Sequence, residues 1–576
     1  MFQRLRIFQT PQRTAALLTP ADVAILMVVA AVAYLGVHLA TDSPSVIRGP
    51  DIRLDAGTLP YYALLSIGRM LAAYTLALLF SIAYGYAAAR SQRAARWLLP
   101  TLDILQSVPI LSFLPVVLLG LTAILPQQLA VELAAIILIF TSQAWNLTFS
   151  FYQSMRTIPG EYREAAAIFR LSRWLRFKQV ELPFAALGLI WNSVMSWAGG
   201  WFFLMAAEIF TLGERDFRLP GLGAYLQTAA NAGDTSALIA GLLTLVAIII
   251  LFDQLIWRPL LAWAERFKVS QVVNDDEATS WFLDSLQRSG LARMLSVRLL
   301  APLIHGLDRR FGRSPTIVSS LDPDEGTGRN WMGRLLLVLL IAGVAWAATQ
   351  AAGMLLTLPA ETWVRIGIGA SATLLRVGIA VTIALAWTIP VGVLIGTNAG
   401  AARILQPVVQ IAASIPATAL FPVLLLGLLR LPGGANIAAV LLMLLGTQWY
   451  LLFNVIAGAS AIPRDLQFTS DLMRLRGWRR WRTLTLPALF PYIITGLVTA
   501  SGGAWNASII AEFTTFGGET HQVTGLGALI TSATAQGDNA LLLASTLTMI
   551  VMVVGINRFV WRRLLRLAET RFRMDQ

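Results

Sequence analysis

Residues 159–183, PGEYREAAAIFRLSRWLRFKQVELP, form a polar, Arg-rich segment between two long apolar runs. A weaker copy, PRDLQFTSDLMRLRGWRRWRTLTLP, occupies residues 463–487. The flanking runs reach about 20 residues, enough to cross roughly 30 Å of hydrocarbon as helices. Each polar stretch therefore joins two membrane-spanning helices, and the chain carries this basic hairpin twice.

Composition agrees with that reading. Of 576 residues 56% are hydrophobic and 13% charged, with a mean hydropathy of +0.67. A water-facing surface needs far more charge than this. Alternating ten-residue strands are absent, which argues against a β-barrel. The net charge of +13 would suggest nucleic acid in a soluble protein; here it reflects Lys and Arg gathered in cytoplasmic loops, and no nucleic-acid partner is expected. There is no cysteine, and His38, His305 and His521 are far apart, so a disulfide framework and a metal centre are not expected.

Hydropathy places helices near 21–40, 61–89, 98–121, 128–152, 184–210 and 236–258, then 331–356, 364–396, 405–429, 436–456, 488–513 and 540–560. The fold class is an all-α membrane protein of about 12 transmembrane helices, six per half. The N-terminal run is too long for a signal-peptide core and reads as the first, retained membrane helix. Arg90, Arg93, Arg96, both hairpins, Arg403 and the basic tail from Arg558 to Arg573 share one side when the N-terminus is inside. Both termini are therefore expected in the cytoplasm.

The halves are a duplication. Pro183 and Pro487, Glu208 and Glu512, Gly221 and Gly525, and Asp234 and Asp538 are each 304 positions apart. The SxP segments SVPILSFLPVVLLG (107–120) and SIPATALFPVLLLG (414–427) are 307 apart, so three residues are lost in the second copy between these blocks. An even helix number per half makes the repeats parallel, related by an axis along the membrane normal. The expected organisation is a first repeat at 1–263 with its core at 61–260, a cytoplasmic linker at 264–330, and a second repeat at 331–576 with its core at 364–562. Within the linker, SGLARMLSVRLLAPLIHGLDRRF is apolar on one face and basic on the other, suiting a helix at the bilayer surface.

No GxxxxGK[ST] sequence, Ser/His/Asp set or metal-ligand cluster occurs, so an enzyme is not expected and any nucleotide belongs to another chain. The hairpin carries the most specific signal. Glu164-Ala165-Ala166 followed at fixed spacing by Val180, Leu182 and Pro183 resembles the EAA motif of ABC importer permeases. Small Ala side chains let a short helix sit deep in a partner's cleft. Glu161 and Glu164 favour its N-terminal turn and can pair with basic residues across an interface. The sequence departs from the motif in two ways. Arg170 and Arg474 stand where the turn glycine is usual, which predicts a looser or shifted turn. Phe468-Thr469-Ser470 replaces Glu-Ala-Ala in the second copy, leaving Asp465 and Asp471 as the nearby acids.

Beyond the hairpins, Arg69 and Arg376, the SxP segments, Ala207-Glu208 and Ala511-Glu512, the GLG loops and Trp257-Arg258 and Trp561-Arg562 resemble the type I class of these permeases, closest to the nitrate/sulfonate/taurine/bicarbonate branch. The tandem fusion is similar to the duplicated anion-permease group. The resemblance implies a pseudo-dimeric type I importer fold in a bacterial inner membrane, and uptake of a small, anionic solute. It also implies two copies of an ABC ATPase subunit that bind ATP and Mg, and room for a periplasmic substrate-binding protein; no cofactor is expected in this chain. A twelve-helix secondary transporter is the alternative, although such a protein has no reason to place this hairpin between the fourth and fifth helix of each half.

Two sets of residues are candidates for the substrate path. Pro109, Pro115, Pro416 and Pro422 interrupt corresponding helices, and paired broken segments point to a midplane site. This places Ser107, Ser112, Ser414 and Thr418 near the path, with Gln143, Trp145, Asn146, Trp449 and Tyr450 on the next helix; prolines that only bend packed helices, and ordinary helix–helix hydrogen bonds, are the plainer readings. Arg69 and Arg376 lie inside the membrane and would attract an anion, unless they snorkel outward or pair with Glu208 and Glu512. Trp197, Trp201 and Trp505 read as packing or interface anchors.

Overall fold

The computed structural model describes residues 27–28, 30–31, 34–35, 49–212, 215–267, 280–289, 302, 306, 308, 331–462, 464–516 and 519–571. Much of the N-terminal run at 21–40 and of the amphipathic linker segment at 289–311 lies outside them. Seven helices among the described residues are long and apolar enough to cross a membrane.

In the first repeat, α1 (Leu59–Arg90) opens with Pro60 in its first turn, where the missing N–H has no helical partner to lose. After α2 (Gln92–Ser107) and α3 (Leu114–Ile124), α4 (Gln127–Thr157) runs to the hairpin. Hairpin helix α5 (Gly160–Ile168) precedes α6 (Leu182–Glu208), α7 (Leu222–Asn231) and α8 (Thr235–Phe252). The linker contributes α9 (Trp281–Arg288). The second repeat begins with α10 (Trp331–Leu356) and α11 (Ala360–Thr397), then α12 (Ala399–Ser414) and α13 (Ala417–Leu428). There α14 (Gly434–Leu445) and α15 (Gln448–Ser460) together match α4. Hairpin helix α16 (Arg464–Leu472), α17 (Leu486–Glu512), α18 (Leu526–Gln536), α19 (Asn539–Ile556) and α20 (Arg562–Arg571) complete the chain.

The runs at 98–121 and 405–429 are therefore two helices each, not one. A 3-10 turn at Ile110–Ser112 separates α2 from α3, and Ile415–Pro416 separates α12 from α13. Pro109 and Pro416 remove the backbone donor at each break, so the helix cannot continue through them. Two small antiparallel ribbons were also not legible. One pairs β1 (Thr211–Leu212) with β2 (Arg215–Asp216), the other β3 (Phe513–Phe516) with β4 (Glu519–Gln522), each following the buried glutamate of its repeat.

The repeats interlock. Helix α2 packs on α19, and α12 on α8, so the third helix of each half leans on the last helix of the other. Val108 clusters with Ile550 and Val554 at the first of these crossings. Within each repeat the second and fourth helices approach closely at one equivalent glycine. A Cβ on Gly85 would stand 2.9 Å from the Phe151 ring, and one on Gly392 2.6 Å from Val455, the small-residue contact expected between membrane helices. Ser91 and Asn398 cap α2 and α12, and Asp234 and Asp538 cap α8 and α19. The Ala237 N–H at 3.0 Å and the Ser236 hydroxyl at 2.7 Å donate to Asp234 and, with the backbone bond the largest cause, hold its carboxyl below the usual range. Four π turns, at Phe177–Glu181, Asp253–Trp257, Trp481–Thr485 and Asn557–Trp561, recur at equivalent places near the hairpin end. They re-aim the helix entering α6 or α17 and the one leaving α8 or α19.

Candidate functional site

Both hairpins are short helices closed by the same turn. After α5 the Arg170 N–H donates to Ala167 O at 3.0 Å and Leu171 N–H to Ala166 O at 3.0 Å; after α16 Arg474 N–H donates to Asp471 O and Leu475 N–H to Ser470 O, both at 3.0 Å. This is a Schellman closure, with Arg170 at φ 48° and Arg474 at φ 50° in the left-handed position normally held by glycine. The looser turn expected from the missing glycine is not what forms: the paired hydrogen bonds hold the tight turn and the arginine backbone is left strained. Ala166 and Ser470, 304 apart, face inward, while Glu161, Glu164 and Arg170 are exposed and Ala165 is half-buried. Asp471 is exposed and accepts from Arg480 at 3.1 Å; Asp465 lies on α16, with its side chain outside the description. Each hairpin helix carries bare apolar residues, on or just past its last turns. Ile168 and Phe169 in the first copy, and Phe468, Leu472 and Met473 in the second, are all between 66% and 77% exposed.

The SxP breaks meet the opposite repeat. Leu111 N–H donates to Asn506 Oδ1 at 3.3 Å, and the Thr418 hydroxyl donates to Phe202 O at 3.3 Å. These are equivalent contacts, each from a broken third helix to the partner repeat's α6 or α17. Ser112 is fully buried, its hydroxyl donating to Pro109 O at 2.6 Å and so satisfying a carbonyl at the break. Ser107 and Ser414 end α2 and α12, with side chains outside the description. A Cβ on Gly199 would come within 2.9 Å of the Tyr450 hydroxyl, so Tyr450 reaches from the second repeat to α6 of the first.

The two intramembrane arginines are held inside their own repeats. Arg69 donates to Glu208 at 2.9 Å, to both Glu132 oxygens at 2.7 Å and to Pro220 O at 2.9 Å. Arg376 donates to Glu512 at 2.9 Å, to Asn436 Oδ1 at 2.7 and 3.1 Å and to Thr524 O at 2.8 Å. Each glutamate then accepts a backbone N–H at the start of the GLG helix: Gly223 N–H at 2.7 Å for Glu208 and Gly527 N–H at 2.8 Å for Glu512. Ser66 and Thr373 complete each cluster by donating to the carboxylate and accepting the preceding backbone N–H, that of Leu222 or Leu526. A Cβ on Gly221 or Gly525 would collide with the carboxylate, which explains why glycine precedes each helix. Of the readings the sequence left open for these arginines, pairing with Glu208 and Glu512 is the one formed. The third partner, Glu132, was missed; a carboxylate inside the apolar run 128–152 was its signal.

Gln143 is buried, its amide donating to Met70 Sδ at 3.6 Å, and its carbonyl oxygen has no partner among the described residues. Asn146 lines an open cavity of about 430 Å³ between α4 and α6. Trp201 and Trp505 are fully buried, and Trp197 stacks on Phe252 at 5.1 Å, so these rings pack the core. Two further side chains escaped the sequence reading. Glu181, 1% exposed, accepts from Arg176 at 2.9 Å and Arg90 at 3.1 Å, tying the first hairpin to the end of α1. Asp308 of the linker accepts from Trp174 Nε1 at 2.8 Å and Lys178 Nζ at 2.6 Å, so the linker docks on that same hairpin. Among the described residues, no group of three or more His, Cys, Asp or Glu could hold a metal ion.

The family described as "Binding-protein-dependent transport system inner membrane component" matches residues 77–256 and again 388–573. A nitrate import permease protein of Synechocystis sp. is 30% identical over 147 residues, covering 26% of this chain and 52% of that protein. The Leptolyngbya laminosa protein of the same name is 29% identical over 170 residues, 30% of this chain and 57% of its own. A bicarbonate transport system permease protein of Synechococcus elongatus is 31% identical over 165 residues, 29% of this chain and 56% of its own. The chain spans about half the length of the curated relatives it matches.

Proposed function

This chain belongs to the family of binding-protein-dependent transport system inner membrane components, and from that premise we propose that it is the membrane-spanning subunit of an ATP-driven importer with both halves in one polypeptide. The observation that carries the proposal is the pair of hairpin helices. Each stands outside the membrane helices, closed by the same turn and capped by exposed apolar side chains, as Ile168 and Phe169 are in the first and Leu472 and Met473 in the second. Contiguous exposed apolar surface of this kind marks a protein-docking site, and two copies call for two ATPase subunits. Those subunits bind the ATP and Mg.

The hairpins act as levers. ATPase closure moves them, and the repeats rock about their interlocked third and last helices between inward- and outward-open states. The SxP breaks around Ser107, Ser112, Ser414 and Thr418 form the central constriction. Gln143 and Asn146 line the path beside it, and the Arg69–Glu208 and Arg376–Glu512 clusters frame its outer end. The three named relatives suggest a small anion as solute, delivered by a periplasmic binding protein. The chain would sit in the inner membrane with both termini, the hairpins and the 264–330 linker cytoplasmic. Family membership sets the secondary-transporter alternative aside.

The test is co-purification with its ATPase followed by coupled assays in proteoliposomes. Two ATPase copies per chain are expected. Glu164→Arg should uncouple ATP hydrolysis from uptake more severely than Phe468→Arg, because only the first reverses a charge. Proton-driven uptake by the purified chain alone would overturn the proposal.

A further inference from the structure

We propose that the cavity between α4 and α6 is a solute site for a small monovalent oxyanion, present in the first repeat and filled in the second; this rests on the importer reading above. Its polar lining comes from Asn146, Ser150, Gln153, Ser154 and Thr157 on α4 and Asn192 on α6. On α4 these residues recur at helical spacing and form one stripe along the half nearer the hairpin. At about 430 Å³ the cavity has the size of small-molecule sites in general.

The stripe belongs to a water-filled cleft and not to lipid. Asn192 and Thr157 donate to backbone carbonyls of their own helices, but the side chains of Asn146, Ser150, Gln153 and Ser154, facing hydrocarbon, would each lack a partner at a cost of several kcal/mol. Among the described residues, no hydrogen bond involves the side chains of Asn146, Ser150, Gln153 or Ser154, so these groups are available to water or a solute. The cavity also faces the other repeat. Gly199, seven residues from Asn192 on the same face of α6, lies against Tyr450 of the second repeat. Seven residues rise about 10 Å along a helix, so the cavity opens on the hairpin side of this contact.

The second repeat has closed the equivalent space. Ser154 and Gly188 correspond, 304 positions on, to Gly458 and Tyr492. In the first repeat a Cβ on Gly188 would stand 3.2 and 3.3 Å from the Ser150 and Ser154 hydroxyl oxygens, at the cavity wall. In the second, a Cβ on Gly458 would stand 2.6 Å from the Tyr492 ring, so the ring occupies that space. The other lining positions become Tyr450, Asn454, Ala457, Ala461 and Gly496, and most of the hydrogen-bonding groups are lost.

The chemistry of the lining selects the ligand. Three amide groups and the Ser150 and Ser154 hydroxyls can donate, the Thr157 hydroxyl being already committed to Gln153 O, and no lining residue is acidic or basic. Arg156 follows at the hairpin end, and Arg163 donates to Met155 O at 3.5 Å, so cations stand near the mouth. Donors without a fixed counter-ion hold a singly charged oxyanion by hydrogen bonds alone, weakly enough for it to leave, as passage requires.

The experiment uses the full chain with its ATPase and binding-protein partners in proteoliposomes, with nitrate, bicarbonate and urea as probes. The variant is Ser154→Gly with Gly188→Tyr, which installs the arrangement the second repeat already accommodates. ATP-driven uptake of nitrate or bicarbonate should fall at least ten-fold while the ATPase still co-purifies. As a second variant, Asn192→Leu should raise the KM for the anion at least three-fold with assembly intact. Unchanged uptake and KM in both variants overturn the site while leaving the importer reading standing. Wild-type uptake of urea but of neither anion overturns the oxyanion assignment, and wild-type uptake that does not depend on ATP overturns the importer reading itself.

Discussion

The two hairpins share a backbone and differ in how they are held. Both end in an arginine at positive φ and both enter the next membrane helix through a π turn. The first is anchored by charge: Glu181 bridges Arg90 and Arg176, and Asp308 of the linker bridges Trp174 and Lys178. In the second, Thr485 stands at the position of Glu181, and the ion pair observed, Arg480–Asp471, stays within the hairpin on its exposed face. A duplicated lever can therefore keep its shape while its attachment to the body changes. The first hairpin is tied to both the end of α1 and the linker, and the second carries more exposed apolar surface because Phe468 replaces Glu164.

The largest effect expected from breaking this contrast comes from the cations around Glu181. That carboxylate is 1% exposed, whereas Arg90 and Arg176 are each 35% exposed. Removing both arginines leaves a buried charge without a partner and should cost about 3 kcal/mol. Glu181→Thr, which copies the second repeat, removes the buried charge and lets the arginines return to solvent, so it should cost only about 1 kcal/mol. Calorimetry of Arg90→Ala/Arg176→Ala against Glu181→Thr decides between these. Equal losses would mean the bridge as a whole, and not the orphaned carboxylate, sets the stability of this hairpin.

The linker contact is weaker. Lys178 and Asp308 are both about a third or less exposed, and a partly solvated charge-assisted bond contributes about 1 kcal/mol. Asp308→Asn keeps the shape and removes the charge. Amide exchange across 173–181 should then quicken about five-fold, the kinetic equivalent of that energy, while 477–485 is unchanged. Equal acceleration in both hairpins would show that the linker acts on the whole hairpin end and that the asymmetry is only local.

How much of this could be read from the sequence depended on whether a residue had a duplicate. The hairpins, the SxP breaks, the arginine–glutamate pairs and the GLG glycines recur at offsets of 304 or 307, so each was recognised by its twin. Glu132, Glu181 and Asp308 have no charged twin; Asn436 and Thr485 stand at the first two equivalent positions. Their roles depend on tertiary proximity, which spacing does not encode. The cavity stripe was partly legible: Asn146 was singled out, but Ser150, Gln153 and Thr157 continue it at helical spacing and carry the same signal. The strained turns were misread for a different reason. Losing glycine removes a preference, but it does not remove the paired hydrogen bonds that impose the conformation.

Those turns give the smallest expected effect and the one in which the two hairpins should agree. A side chain in the left-handed region costs roughly 1–2 kcal/mol because its Cβ crowds the following carbonyl. Glycine escapes that cost but loses more backbone freedom on folding, by roughly 0.5–1 kcal/mol. The net gain from Arg170→Gly or Arg474→Gly should therefore be about 0.5–1 kcal/mol in each copy. It should be read as slower amide exchange in Gly160–Ile168 and Arg464–Leu472 respectively. The turns have φ values of 48° and 50° and the same hydrogen bonds, so no structural difference favours one over the other. A gain confined to Arg170→Gly would mean that the charged anchors of the first hairpin, and not the turn itself, hold Arg170 in its strained conformation.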